Sequence, residues 1–262
     1  MLNRAMRRAL ARQKPRSDAP RGGVPRVGNH FHGNQSGSCR TAGSVGQVQA
    51  YNSVNTRGMP AHLVELIART SAEYIAKYGE DSATLQQAAA HEAGHLIVAV
   101  ALGGRPQRAR VFSQSIPGRK IWVGENEIQW RWAADDYPFE FATDIPRAIT
   151  EMAQTLGGIA GEGAVGLDHP SSSVDERCIA SMGIGGLARL LNMSNDETAS
   201  MIETVAKLSI VVNRLAFDEL RDLLQREHHV DRLTIERVLQ RCEARQVFDA
   251  AVLARLGEKE AL

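Results

Sequence analysis

The sequence predicts a mainly α chain of the α+β class, with a small antiparallel strand pair and a disordered basic tail ahead of both. Three observations predict it. Most apolar residues beyond position 60 recur at helical spacing. Two runs between 108 and 132 are instead rich in β-branched and aromatic residues and flank a turn signal, Ile116-Pro117-Gly118-Arg119. Residues 1–57 are rich in Arg, Gly, Ser, Asn, Gln and Pro and poor in bulky apolar side chains. Such a stretch cannot bury enough surface to fold alone. The expected division is a tail over 1–57 and a single domain over 58–262.

The tail carries most of the charge imbalance. Residues 1–60 hold ten Lys/Arg against one acid, Asp18, which is +9; the whole chain is +1, so the rest is −8. A basic tail can touch an acidic partner or nucleic acid. No aromatic stripe interleaves the arginines, however, and a solvated leader is the plainer reading. Residues 3–12 suit one short helix, and His30 and His32 read as solvated. No apolar segment follows the basic start, so no secretory signal is expected. The longest apolar run, Leu96 to Leu102, is far short of the ~20 residues that span a bilayer. No membrane segment is therefore expected. Cys39, Cys178 and Cys242 are scattered and form no C-x-x-C, as in reduced, cytoplasmic proteins.

The first helix should begin near Pro60, show apolar positions Leu63, Val64, Leu66, Ile67, Tyr74 and Ile75, and stop by Gly79. Ser82 or Thr84 then caps a second helix that ends at Gly103-Gly104. The strand pair follows, and residues 133–142 read as an acidic, aromatic loop or lid. Asp144 and Pro146 open a helix expected to reach about Val165. Its Gly157, Gly158, Gly161 and Gly163 weaken it, and make sense if that face packs closely on the second helix. Ser194 and Glu197 form a capping box for a helix read to about Glu227, followed by an amphipathic helix over 232–244. His228-His229 between them reads as a polar turn.

The chemistry lies in His91-Glu92-Ala93-Gly94-His95, inside the second helix. Residues four apart are about 40° apart around a helix axis, so His91 and His95 point the same way. Two imidazoles one turn apart can reach one metal ion. Glu92 is roughly 100° round from His91, off the ligand face but within reach of a metal-held water. That is the H-E-x-x-H arrangement of two ligands and a general base. A catalytic zinc wants a third protein ligand. The candidates downstream are Glu162, Asp168, His169, Asp175 and Glu176, and spacing alone leaves them open.

The chain resembles the peptidase domain of the FtsH family of ATP-dependent zinc metalloproteases. The resemblance rests on Ala90-His-Glu-Ala-Gly-His95, on Gly157-Gly158-Ile159-Ala160-Gly161-Glu162, and on Ser173-Val-Asp175-Glu-Arg177. It extends over about residues 60 to 245 in the order and type of elements. In that family the third zinc ligand is an Asp about fourteen residues after the Glu of the Gly-Gly block; Asp175 lies thirteen after Glu162. The resemblance therefore implies a helical, zincin-like fold, zinc on His91, His95 and Asp175, Glu92 as the base, and Glu162 supporting a metal histidine. Asp175 near a helix start is also more firmly held than Asp168 in its loop.

The departures are equally plain. No Gly-Lys dipeptide occurs, so there is no Walker A loop, and Gly163 stands where the family commonly has a second Glu. ATP-driven unfolding, membrane residence and a hexameric ring do not carry over. The expected activity is hydrolysis of flexible or unfolded polypeptides by metal-activated water, without an ATPase of its own. A non-catalytic metal-stabilised binding module and a peptidase subunit served by a separate ATPase are the rival expectations. Expected partners are a polypeptide substrate, with a second copy of the chain or that ATPase as further options.

Overall fold

The computed structural model describes residues 61–116, 118–130 and 144–257. The tail over 1–57 and the loop over 133–142 lie outside the described residues. Helix α1, Ala61–Tyr78, buries Leu63 and Ile67 against Val174 and Cys178. Helix α2, Leu85–Ala101, is the axis of the fold. Thr84 caps it, its Oγ accepting from the Gln87 N–H at 3.2 Å. Every residue from Gln87 to Ala99 is buried, as expected of a helix enclosed on all sides. Burial of Leu96, Ile97 and Val98 contributes about 1.5–3 kcal/mol each.

Strands β1, Arg105–Ile116, and β2, Arg119–Gln129, form the expected hairpin, with Gly118 at φ +85° in its turn. A left-handed residue there suits glycine. A third strand, β3 at His229–Asp231, pairs with Arg108–Arg110, and the sheet order is β2-β1-β3. His229 thus lies in a strand. Three residues carry no readable period, and β3 exists only because β1 offers it a partner.

Helix α3, Ile145–Thr155, and helix α4, Gly157–Gly163, replace the single helix expected over 144–165. The break at Leu156 leaves the Gln154 carbonyl to accept from His95 Nδ1 at 2.9 Å. The long C-terminal helix is likewise two: α6, Asn195–Val212, and α7, Arg214–Glu227. Asn213 divides them, and its buried amide bonds both the N–H and the C=O of Arg245. Between these pairs runs α5, Val174–Leu191. The chain continues through α8, Arg232–Arg241, capped by Asp231, and α9, Ala250–Gly257. Among the described residues no helix is long and apolar enough to cross a membrane.

The glycines of α4 do press on α2. A Cβ on Gly94 would stand 2.2 Å from the Gly157 carbonyl oxygen, and one on Gly161 2.2 Å from that of Ala90. Two backbones touch there with no room for a methyl group. Gly94→Ala gains about 1 kcal/mol of helix propensity. It is nevertheless expected to destabilise the fold by about 2 kcal/mol or more, because the clash is with backbone. A urea midpoint that rises instead of falling would contradict this close approach.

Candidate metal centre

His91 and His95 project from the buried middle of α2 toward the first turn of α5. Their Nε2 atoms are 3.1 Å apart. Glu176 Oε1 lies 3.1 Å from His91 Nε2 and 2.9 Å from His95 Nε2. The three groups are buried, and among the described residues they form the one cluster of His, Cys, Asp or Glu able to hold a metal ion.

The tautomers follow from what lies behind each ring. His91 Nδ1–H donates to Glu162 Oε1 at 2.7 Å, and His95 Nδ1–H to the Gln154 carbonyl at 2.9 Å. Each imidazole therefore turns an Nε2 lone pair inward. With both rings neutral, two lone pairs and a carboxylate oxygen meet with no donor between them, an arrangement that calls for a cation; without a metal, ring protons fill that role. Ligands at 2.0–2.1 Å from a tetrahedral zinc are roughly 3.3 Å from one another, close to the separations here. Glu176 Oε2 is also buried with no hydrogen-bond partner. An unsatisfied carboxylate oxygen is costly unless a cation sits beside it. The donor set fits a divalent metal ion.

Glu162 is fixed in turn. Gln87 Nε2 donates to its Oε2 at 3.1 Å and Ser172 Oγ at 2.8 Å. Gly158 leaves room for the His91 ring, since a Cβ there would lie 2.2 Å from the ring. Glu92 leaves the ligand face as the helix angle requires and runs under β2. It is buried, a Cβ on Gly124 would collide with it, and Asn126 Nδ2 donates to its Oε2 at 2.7 Å.

The third side chain at the pair is thus Glu176, where Asp175 was expected. Asp175 is buried one position earlier and lines a cavity beside Ser71 and Ile75. Consecutive helical residues diverge by about 100°, so only one of the two can face the imidazoles. Ser173, in the left-handed region at φ 49°, sets where α5 begins and hence which one does. Glu176 lies fourteen residues after Glu162, the family's spacing, but carries a different residue type. That spacing was the signal available for it. Asn126 and the Gln154 carbonyl had none, being brought in by the sheet and the helix break. Asp168 is exposed, and His169 Nδ1 accepts from the Ser171 N–H.

Charge is tightly coupled in this cluster. Burial alone would lower the histidine pKa values, but the carboxylate of Glu176, aided for His91 by Glu162, raises both, His91 well above 6.5. Burial opposes ionisation of Glu176, yet the two histidines hold its pKa down at about 2. Burial pushes the Glu92 carboxyl up, with the histidines acting against it.

A stability prediction follows for metal-free protein. The lowered Glu176 pKa contributes stability present above pH 4.5 and lost as pH falls toward about 2. The raised histidine pKa values contribute stability present below pH 6.5 and lost as pH rises through them. Chelated protein should melt highest between pH 4.5 and 6.5 and lower above. Metal reverses the upper trend, because both imidazoles must lose protons to bind it. A metal-free melting temperature climbing steadily above pH 6.5 would contradict this. No protein-family model matches the chain, and no curated protein matches it.

Proposed function

We propose that the protein is a zinc-dependent endopeptidase, similar to the FtsH peptidase domain, that hydrolyses flexible or unfolded polypeptides. The observation that carries this is the meeting of His91 Nε2, His95 Nε2 and Glu176 Oε1 within 3.1 Å of one another, with the Glu92 carboxyl beside them. His91, His95 and Glu176 would hold the zinc, which would supply an acidified bound water and polarise a substrate carbonyl. Glu92 takes the water's proton and passes it to the leaving amine. Asn126 holds one Glu92 oxygen at 2.7 Å, so the other is left for that exchange. Glu162 and the Gln154 carbonyl hold the rings in the ligating tautomer.

Strand β2 offers a track for the substrate. Val111, opposite Gly124, sends its N–H to His228 on the far side, and Trp122 sends its own to Ala83. The backbone groups of Gly124 and Asn126 therefore turn away from β1 and have no backbone partner among the described residues. An extended chain can pair along this edge, directly above Glu92. A folded substrate cannot, which favours unfolded ones.

The test is cleavage of an unfolded protein such as casein by purified chain carrying about one zinc. Cleavage should stop on chelation, return with zinc, and not respond to ATP. Metal-loaded protein that leaves casein intact would count for the binding-module alternative.

A further inference from the structure

A cavity of about 110 Å³ opens beside the metal group, reaching from His91 and Gly124 to the facing side of α1. Ile75, Ile121 and Val123 form apolar parts of its wall. Its charged lining is mainly acidic, with Glu80, Asp81, Glu162 and Asp175 beside the one arginine, Arg119. Glu162 is committed to His91, Gln87 and Ser172. Asp175 is 1% exposed and sits in the first turn of α5. The basic residues of the lining are already paired. Arg119 pairs with Glu80 at 3.2 Å and donates to the Asp81 carbonyl at 2.7 Å, while His91 faces the metal group.

Ser71 supplies the independent sign of a ligand. It is 5% exposed, lines this cavity, and its Oγ has no hydrogen-bond partner. A buried hydroxyl without a partner is costly, so natural sites rarely keep one unless something fills the role. Aliphatic walls with a hydroxyl and carboxyl groups match a methylene stem ending in a multiple donor. A carboxylate would meet like charge here. An apolar chain would leave the polar lining without donors.

We infer that this cavity binds an alkylammonium group, namely a lysine side chain of the polypeptide paired along β2. The lysine assignment rests on the peptidase reading; ammonium binding does not. Gly124 belongs both to the cavity wall and to the open edge of β2, so a side chain of an added strand can enter directly.

The test has two arms, both on the full zinc-loaded chain. In the first, n-butylammonium is titrated by saturation-transfer NMR against n-butanol, its uncharged counterpart. The ammonium should bind at least about tenfold more tightly, the usual scale for hydrogen bonds to charged groups. Asp175→Asn should weaken it by a similar factor, and Ser71→Ala, which removes one hydroxyl and no charge, by several-fold. In the second, peptides differing only by lysine or norleucine near the scissile bond are compared by kcat/KM. Lysine should be preferred about tenfold at one position, and Asp175→Asn should erase the ratio. Equal binding of the two probes, or binding indifferent to both variants, overturns the pocket. Cleavage with no lysine preference overturns its link to substrate and leaves the peptidase reading standing. Ammonium binding without cleavage of any peptide upholds the pocket and overturns the peptidase reading.

Discussion

Glu176→Gln will strip the metal from the protein, and Asp175→Asn will leave it bound. The two residues are neighbours, both buried and both acidic, so composition and burial do not separate them. Geometry does. Glu176 Oε1 is 2.9 Å and 3.1 Å from the two Nε2 atoms, and the group able to hold a metal ion consists of His91, His95 and Glu176, without Asp175. The amide of Gln keeps the size of Glu176 but loses the charge that a divalent ion needs, while both imidazoles stay in place. Loss of an outer partner such as Glu162 typically costs about 10–100-fold in affinity, so loss of a direct ligand should cost more. Zinc content after dialysis, and competition against a chromophoric chelator, measure it. Full zinc occupancy in Glu176→Gln together with loss in Asp175→Asn would reverse the assignment.

The second large effect is on turnover. Glu92→Gln should lower kcat by about 10²–10⁴, the range for removing a general base, while zinc stays bound. The amide fits the space between α2 and β2, where Gly124 approaches and Asn126 reaches the carboxyl. It cannot accept the water's proton. Asn126→Ala should act through Glu92, lowering kcat by a smaller factor with KM for short peptides little changed. A Glu92→Gln variant that cleaves casein at the wild-type rate would rule out the metal-activated water mechanism. The same variant separates an enzyme from a metal-stabilised binding module, whose partner binding would persist.

What could be read from residues alone was whatever depends on one element at a time. The spacing of His91 and His95 places two imidazoles on one face of any helix that contains them, and Thr84, Gly103 and the apolar flanks make that helix. The hairpin, the capping box at Ser194 and the first helix follow from local pattern in the same way. Even the close packing of α4 on α2 was legible, because glycines at helix spacing have few other uses.

Tertiary structure decided everything that joins separate elements. Whether Asp175 or Glu176 meets the histidines depends on the rotation of α5 about its axis, which is set by the left-handed turn at Ser173 and by packing against α1. The breaks at Leu156 and Asn213 arise where a backbone or side-chain amide finds a distant partner, His95 in one case and Arg245 in the other. Strand β3 exists because β1 has an open side, and Asn126 reaches Glu92 because the sheet lies over α2. Periodicity tells which face of a helix is apolar; it does not say which neighbour that face will meet.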